Sequence, residues 1–345
     1  MASLRLAGIL TVVLGVSGML LLRGGSLQAN DFNSGDSASS TPQLVWRGCG
    51  VSKKAFMEKC AVEYERQTGV KIKLSGGGAQ LGIETAAAGG ADLGGTCRAC
   101  LSKLKEDELG IKLAVVAWDA LTVIVHADNP VEDISREQLR DVLQQKLTNW
   151  KQLGGNDEEI IVTVRRGKTS GVGYSVRALI LEDPEADFGA TAVRLNSSGP
   201  LEQLVEKQHR AIGVTGISSA RKRDVKTLSI DGQLPEPDKI AAGDYPYYRP
   251  LYIAYRPGIN DQAQRFVDWL LSDAGQAVIE EQNTVTLRQG AELTRSYRHF
   301  GDISQISNYE SLLEMATGAK GSDEESEVNK DREGSQSVSL EGARE

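Results

Sequence analysis

With 345 residues the chain is too long for one small core, and 47 acidic side chains against 39 basic ones leave a net charge of −8. That balance excludes the basic stripe on which nucleic-acid binding depends. The three histidines, His126, His209 and His299, are far apart in sequence and no serine stands in a G-x-S-x-G turn. No catalytic constellation emerges, and an enzyme is not expected.

The N-terminus begins with a short basic stretch and an uncharged Leu/Val/Gly-rich run over residues 6–22, followed by Leu27-Gln28-Ala29. Residues 1–29 therefore read as a secretory signal peptide, with an uncleaved anchor as the alternative. Either one exports the chain, to the periplasm or an equivalent compartment, and membrane contact is expected only there. Residues 30–42 are Ser/Asp/Gly-rich and read as a flexible linker. Residues 318–345, rich in Ser, Glu, Gly and Lys, read as a disordered acidic tail. Roughly 270 residues remain between these ends, a size that suits two lobes.

Strand-like and helical patterns alternate from residue 44. A strand at 44–46 precedes a helix over 52–67, whose Phe56, Cys60 and Tyr64 recur on one face. A strand at 70–74, a helix at 79–88 and a short strand at 91–94 follow. Repeats of this kind imply right-handed crossovers and a mainly parallel sheet flanked by helices, hence an α/β fold. Residues 111–118 and 121–126 are nearly continuous apolar runs, typical of strands buried on both faces. Ser135 and Gln138 then form a capping-box signature that starts a second lobe. Within it fall a strand at 160–164, helices at 171–181 and 201–208, and a strand at 211–215. Residues 247–255 read as another long strand, and helices at 261–271 and 274–282 return to the first lobe. Lobe 1 is thus expected over 43–125 and 250–300, and lobe 2 over 126–249. Two hinge strands, near 121–126 and 251–255, would join them.

Four segments put Gly and small polar residues where a strand hands over to a helix: Gly48-Cys49-Gly50-Val51-Ser52, Ser75-Gly76-Gly77-Gly78, Asp92 to Arg98, and Arg166 to Gly171. Unpaired N–H groups at helix starts can face an anion, so four such loops argue for capture of a small oxyanion. Arg166 is the expected ionic contact; Arg165 is adjacent, and on a strand the two point to opposite faces. Ser52, Ser75, Thr96 and Ser170 either donate to ligand or cap their own helices. Asp92 either faces the oxyanion, favouring one that still carries a proton, or caps its local turn.

In an exported chain the four cysteines default to disulfides, with Cys49–Cys97 and Cys60–Cys100 favoured and Cys97–Cys100 as rival. A metal- or redox-responsive protein using Cys49 and Cys97, with thiolates that hold Zn²⁺ or Cu⁺, is one alternative and four free buried thiols are another; otherwise no metal or cofactor is expected.

The run Trp118-Asp119-Ala120-Leu121-Thr122-Val123-Ile124-Val125, with Asp128-Asn129-Pro130, Ile134 to Leu139, Thr148-Asn149-Trp150 and Leu153-Gly154-Gly155, resembles the phosphate-binding proteins of bacterial ABC importers and the wider periplasmic solute-binding family. The resemblance covers roughly residues 44–300. It implies a two-lobe fold, a phosphate-like ligand, an ABC permease partner and a monomer. Carried over, the ligand residues are Gly50, Val51 and Ser52; Ser75 and Gly77; Asp92 as buried acceptor; Thr96, Cys97 and Arg98; and Arg166, Ser170 and Gly171. The chain departs from the family pattern at Val172, Thr169, Cys49 and Cys97, where hydroxyls or small residues are usual.

Overall fold

The computed structural model describes residues 43–101 and 105–318. The expected signal peptide, the linker and all of the expected tail but Gly318 lie outside the described residues. Among the described residues, no helix is long and apolar enough to cross a membrane.

The first strand, β1 (Gln43–Gly48), leads into a helix, α1, that starts at Gly50–Ser52, widens through a π turn at Lys53–Met57 and continues as Glu58–Thr68. Its Phe56, Cys60 and Tyr64 are buried. Next come β2 (Lys71–Gly76), α2 (Ala79–Ala87), β3 (Leu93–Thr96) and the long β4 (Lys112–His126). The second half of the chain adds β5 (Asp133–Ile134), α3 (Arg136–Leu143), β6 (Ile161–Arg165), α4 (Gly171–Val176), β7 (Val193–Leu195) and α5 (Ser198–Lys207). It continues with β8 (Ala211–Gly216), β9 (Val225–Ile230), β10 (Tyr248–Tyr255), α6 (Asp261–Leu271) and α7 (Asp273–Glu280).

The strands lie in the order β2-β1-β3-β10-β4-β8-β6-β7, with β9 beside β4 and β5. Pairing of β1 with β2 and β3, and of β6 with β7 and β8, is parallel, whereas β10 and β4 run antiparallel to their neighbours. One strand serves both halves: residues 112–120 of β4 pair with β10, and Leu121–Val125 pair with β8. This double duty explains its unbroken apolar run, which is buried from Leu113 to Val125. The chain returns ahead of β10, where Leu121 N–H donates to the Tyr247 carbonyl at 2.9 Å and Tyr245 Oη donates to the Leu121 carbonyl at 2.8 Å. Residues 251–255, expected as the second hinge strand, pair with 112–117 of β4.

Packing brings helix starts close to strand ends. A Cβ on Gly82 would come within 2.7 Å of the Gly95 carbonyl oxygen, so only glycine lets α2 lie this close to the strands. On the opposite face Tyr64 of α1 meets Phe266 and Trp269 of α6, with ring centroids 4.8 and 5.3 Å apart. The core extends past residue 300. Ile306, Leu312 and Ala316 are buried, and the Asn308 side chain exchanges two hydrogen bonds with the Val115 backbone.

Candidate functional site

Strands β1, β2, β6 and β7 each end where a helix begins, and these four helix starts converge. A methyl group on Gly50 would lie 4.0 Å from Ser198 Cβ, and one on Gly171 would lie 2.7 Å from Ala79 Cβ. Gly78, at φ +101°, precedes α2 with its Cα side 3.3 Å from Arg165 Nη2, measured from an added Cβ. The N-cap positions Gly78, Ser170 and Ser197 make no side-chain capping bond. First-turn N–H groups lack intrahelical acceptors, so these ends carry partial positive charge toward a common point.

A cleft of about 340 Å³ opens there, lined by Gly77 to Leu81, Glu84, Arg165 to Gly167, Ser170 and Asn196. Arg165 is 5% exposed; its Nη1 donates to the Leu195 carbonyl at 2.8 Å, while Nε finds no acceptor among the described residues. Arg249, fully buried, is similar: Nη2 reaches Asp119 Oδ2 at 3.4 Å, but Nε and Nη1 are unpartnered. Asp119 spends its other oxygen on Ser218, from N–H at 3.0 Å and Oγ at 2.7 Å. Buried guanidinium N–H groups without acceptors are costly unless an anion completes them.

Beside these arginines lie two sulfurs. Cys49 caps α1, accepting from Ser52 N–H at 3.3 Å and touching Ser52 Oγ at 3.0 Å. Cys97 is a neighbouring group that bears on the titration of Cys49. Donation from Cys49, joined by the charges of Arg249 and Arg165, outweighs burial and holds the Cys97 thiol down to about 6. Burial, followed by the neighbouring Cys97, pushes the Cys49 thiol up.

Two linkages cross from the first half to the second. Arg98 Nε donates to the Thr169 carbonyl at 2.7 Å, and Thr169 Oγ1 donates to Gln80 Oε1 at 2.5 Å. Gly171 seats against Cys97, since a Cβ there would stand 2.5 Å from Sγ.

Residues 37–274 match the PBP superfamily domain. The chain belongs to the PBP superfamily. It is similar to the phosphate-binding protein PstS of Bacillus subtilis, at 25% identity over 263 residues, covering 76% of this chain and 86% of that protein. It is also similar to the PstS of Borreliella burgdorferi, at 28% identity over 193 residues, covering 53% of this chain and 69% of the relative. Among solved structures, a phosphate ABC transporter substrate-binding protein from Clostridium perfringens with bound phosphate superposes with a TM-score of 0.64 at 26% identity. An ABC-type phosphate transport receptor from Vibrio cholerae gives 0.55 at 28%. Each alignment covers 71% of this chain and 99% of the other. The PBP superfamily fold is two-lobed and α/β, in agreement with the sheet described above.

For this PBP superfamily member, the residues singled out in the sequence divide into two groups. Gly77, Arg166 and Ser170 line the cleft, and Gly50, Cys97 and Gly171 stand at the converging helix starts. Arg166 is exposed at the rim, whereas Arg165 is the buried cation. Six expected contacts are otherwise engaged, among them Ser52, whose Oγ and N–H both meet Cys49 Sγ. Asp92 accepts from Val45 N–H at 2.8 Å and Asn260 Nδ2 at 3.0 Å, so it fastens the start of β3. Thr96 Oγ1 bonds the Arg98 backbone, and Ser75 Oγ points to the Trp46 carbonyl at 3.5 Å. Val51 packs beneath Gly216. Arg98 forms a buried two-bond pair with Glu108, at 2.8 and 2.6 Å, and does not reach the cleft.

All four cysteines are free thiols, so the expected disulfides are not formed. Cys49 and Cys97 are in contact. Cys60 and Cys100 differ in surroundings: burial alone raises the former, while Glu108, Arg98 and Asp302 surround the latter, which burial pushes up to about 12. Among the described residues no group of three or more potential ligands could hold a metal ion. Reading the sequence missed Arg249, Asp119, Gln80 and the start of α5. Asn196-Ser197-Ser198-Gly199-Pro200 carries the same small-polar signal as the other loops. The polar members of buried strands carry no such signal.

Proposed function

We propose that this chain is an exported capture subunit that closes its two lobes over phosphate and presents it to an ABC permease. In this reading residues 43–120 with 248–316 form one lobe and 121–247 the other, hinged at the middle of β4 and at 245–247. The chain works as a monomer, binds no nucleic acid, carries out no catalysis and reaches the membrane only through its N-terminal segment or its permease. The observation that carries the reading is the convergence of helix starts beside the buried Arg165, whose Nε–H has no partner among the described residues. That arrangement is complete only with a compact multivalent anion. The similarity to proteins named for phosphate binding selects phosphate among oxyanions.

Calorimetric titration of the purified chain with phosphate, arsenate, sulfate and molybdate tests this. One phosphate per chain is expected, with a rise in Tm that grows with ligand concentration. No heat and no shift with any of the four would overturn the reading.

A further inference from the structure

The cleft is larger than a single oxyanion fills. At about 340 Å³ it has the space of about ten waters, several times what one tetrahedral oxyanion displaces. Its walls already touch. Thr169 Oγ1 donates to Gln80 Oε1 at 2.5 Å, Arg98 Nε donates to the Thr169 carbonyl at 2.7 Å, and a Cβ on Gly171 would stand 2.7 Å from Ala79 Cβ. The space therefore does not come from parted walls, and an oxyanion at the helix starts leaves most of it open.

That open part runs along one helix. Gly77, Gln80, Leu81 and Glu84 recur at i, i+3, i+4 and i+7 and line the cleft from the start of α2 into its second turn. Gly78 sits beside Arg165, whose Nη2 would be 3.3 Å from a Cβ there, so the anion seat lies at this end. Glu84 stands about 9 Å further along the helix axis. Both Gln80 and Glu84 are half-buried and held in place: Gln80 Nε2 donates to Glu84 Oε1 at 2.7 Å, and Lys105 Nζ donates to the same oxygen. Among the described residues Glu84 Oε2 takes no hydrogen bond, and the Gln80 amide keeps a second N–H. Burial works to raise the Glu84 carboxyl, but the hydrogen bonds from Lys105 and Gln80 outweigh it and hold the group below its ordinary range. The far end of the groove thus offers a charged acceptor, an amide donor and the apolar side of Leu81.

We propose that this groove is a subsite for the alcohol part of a phosphate monoester, and that the chain captures phosphate esters of small uncharged polyols. The phosphoryl group takes the seat beside Arg165 and the start of α2. The carbon chain of the polyol lies against Leu81, with hydroxyls that donate to Glu84 Oε2 and accept from Gln80 Nε2. A second anionic group on the ester is rejected, because Glu84 repels it. The proposal rests on the oxyanion reading above and names the substrate class of that site.

Calorimetric titration of the full chain with phosphate, glycerol 3-phosphate and 3-phosphoglycerate tests it, at pH 8, where phosphate and its monoesters are largely dianionic. Glycerol 3-phosphate should bind no more than about threefold more weakly than phosphate, and at least about tenfold more tightly than 3-phosphoglycerate. Glu84→Gln keeps the shape of the side chain and removes its charge, so the gap between the two esters should shrink to within about threefold. Leu81→Trp fills the groove and should lower the affinity for glycerol 3-phosphate relative to phosphate by about fivefold or more. A larger loss on going from phosphate to glycerol 3-phosphate, equal affinities for the two esters, or ratios that neither variant moves would overturn the proposal and leave the phosphate reading standing. If neither phosphate nor either ester binds, the oxyanion reading itself is overturned.

Discussion

Gly171 lies directly on the sulfur of Cys97: a Cβ added there would stand 2.5 Å from Sγ and 2.7 Å from Ala79 Cβ. The start of α4 thus packs on Cys97 and on the start of α2 with no side chain of its own between them. Gly171→Ala should therefore hold the lobes slightly apart. The overlap costs about 1–3 kcal/mol of closure, so phosphate affinity should fall roughly tenfold or more in titration calorimetry. Ligand-free stability should move little, because alanine suits a first helical turn and the open form relieves the clash. A parallel drop in Tm of the free protein would show that the contact belongs to the fold and not to closure.

The two neighbouring arginines should separate cleanly. Arg165 is buried with an unpartnered Nε, whereas the Arg166 side chain is exposed at the rim and only its backbone N–H donates to the Leu195 carbonyl. Arg165→Gln should remove charge-assisted hydrogen bonds and cost about 1.5–3 kcal/mol of binding. Arg166→Gln should cost under about 1 kcal/mol and mainly flatten the salt dependence. Titrations at low and high ionic strength check both. A larger loss from Arg166 would mean that the rim residue swings inward.

That assignment marks how far the sequence could be read. Alternating strands and helices, the capping box at Ser135 and the buried run of β4 are local signals, and the fold followed from them. The helix-start loops were equally legible, since small polar residues before a helix have one physical meaning wherever they occur. Which arginine turns inward depends on where β6 ends, and strand ends are not encoded within two residues. Arg249 and Asp119 gave no warning because they sit in apolar strands and become partners only when β10 lies against β4.

Asp92 provides a test of this distinction. Its carboxylate takes hydrogen bonds from Val45 N–H and Asn260 Nδ2 and fastens β3 beside β1, away from the cleft. Asp92→Ala should destabilise the chain by about 1–3 kcal/mol through the partly buried N–H left without an acceptor. Phosphate affinity should stay within about twofold. Urea unfolding and titration together decide it, and a loss of binding with stability intact would return Asp92 to the ligand.

Arg98 and Glu108 connect stability with closure. Their side chains are 1% and 0% exposed and joined by two short bonds, and the same guanidinium sends Nε across to the Thr169 carbonyl. Arg98→Met strands a buried carboxylate that retains only the Leu101 N–H at 2.6 Å, at a cost of about 3–5 kcal/mol. Adding Glu108→Leu removes the uncompensated charge, so urea unfolding should recover part of that loss. Phosphate affinity should not recover with it, because the bond to Thr169 depends on the arginine alone. If the double variant regained both, the link across the cleft would have no part in holding the lobes closed.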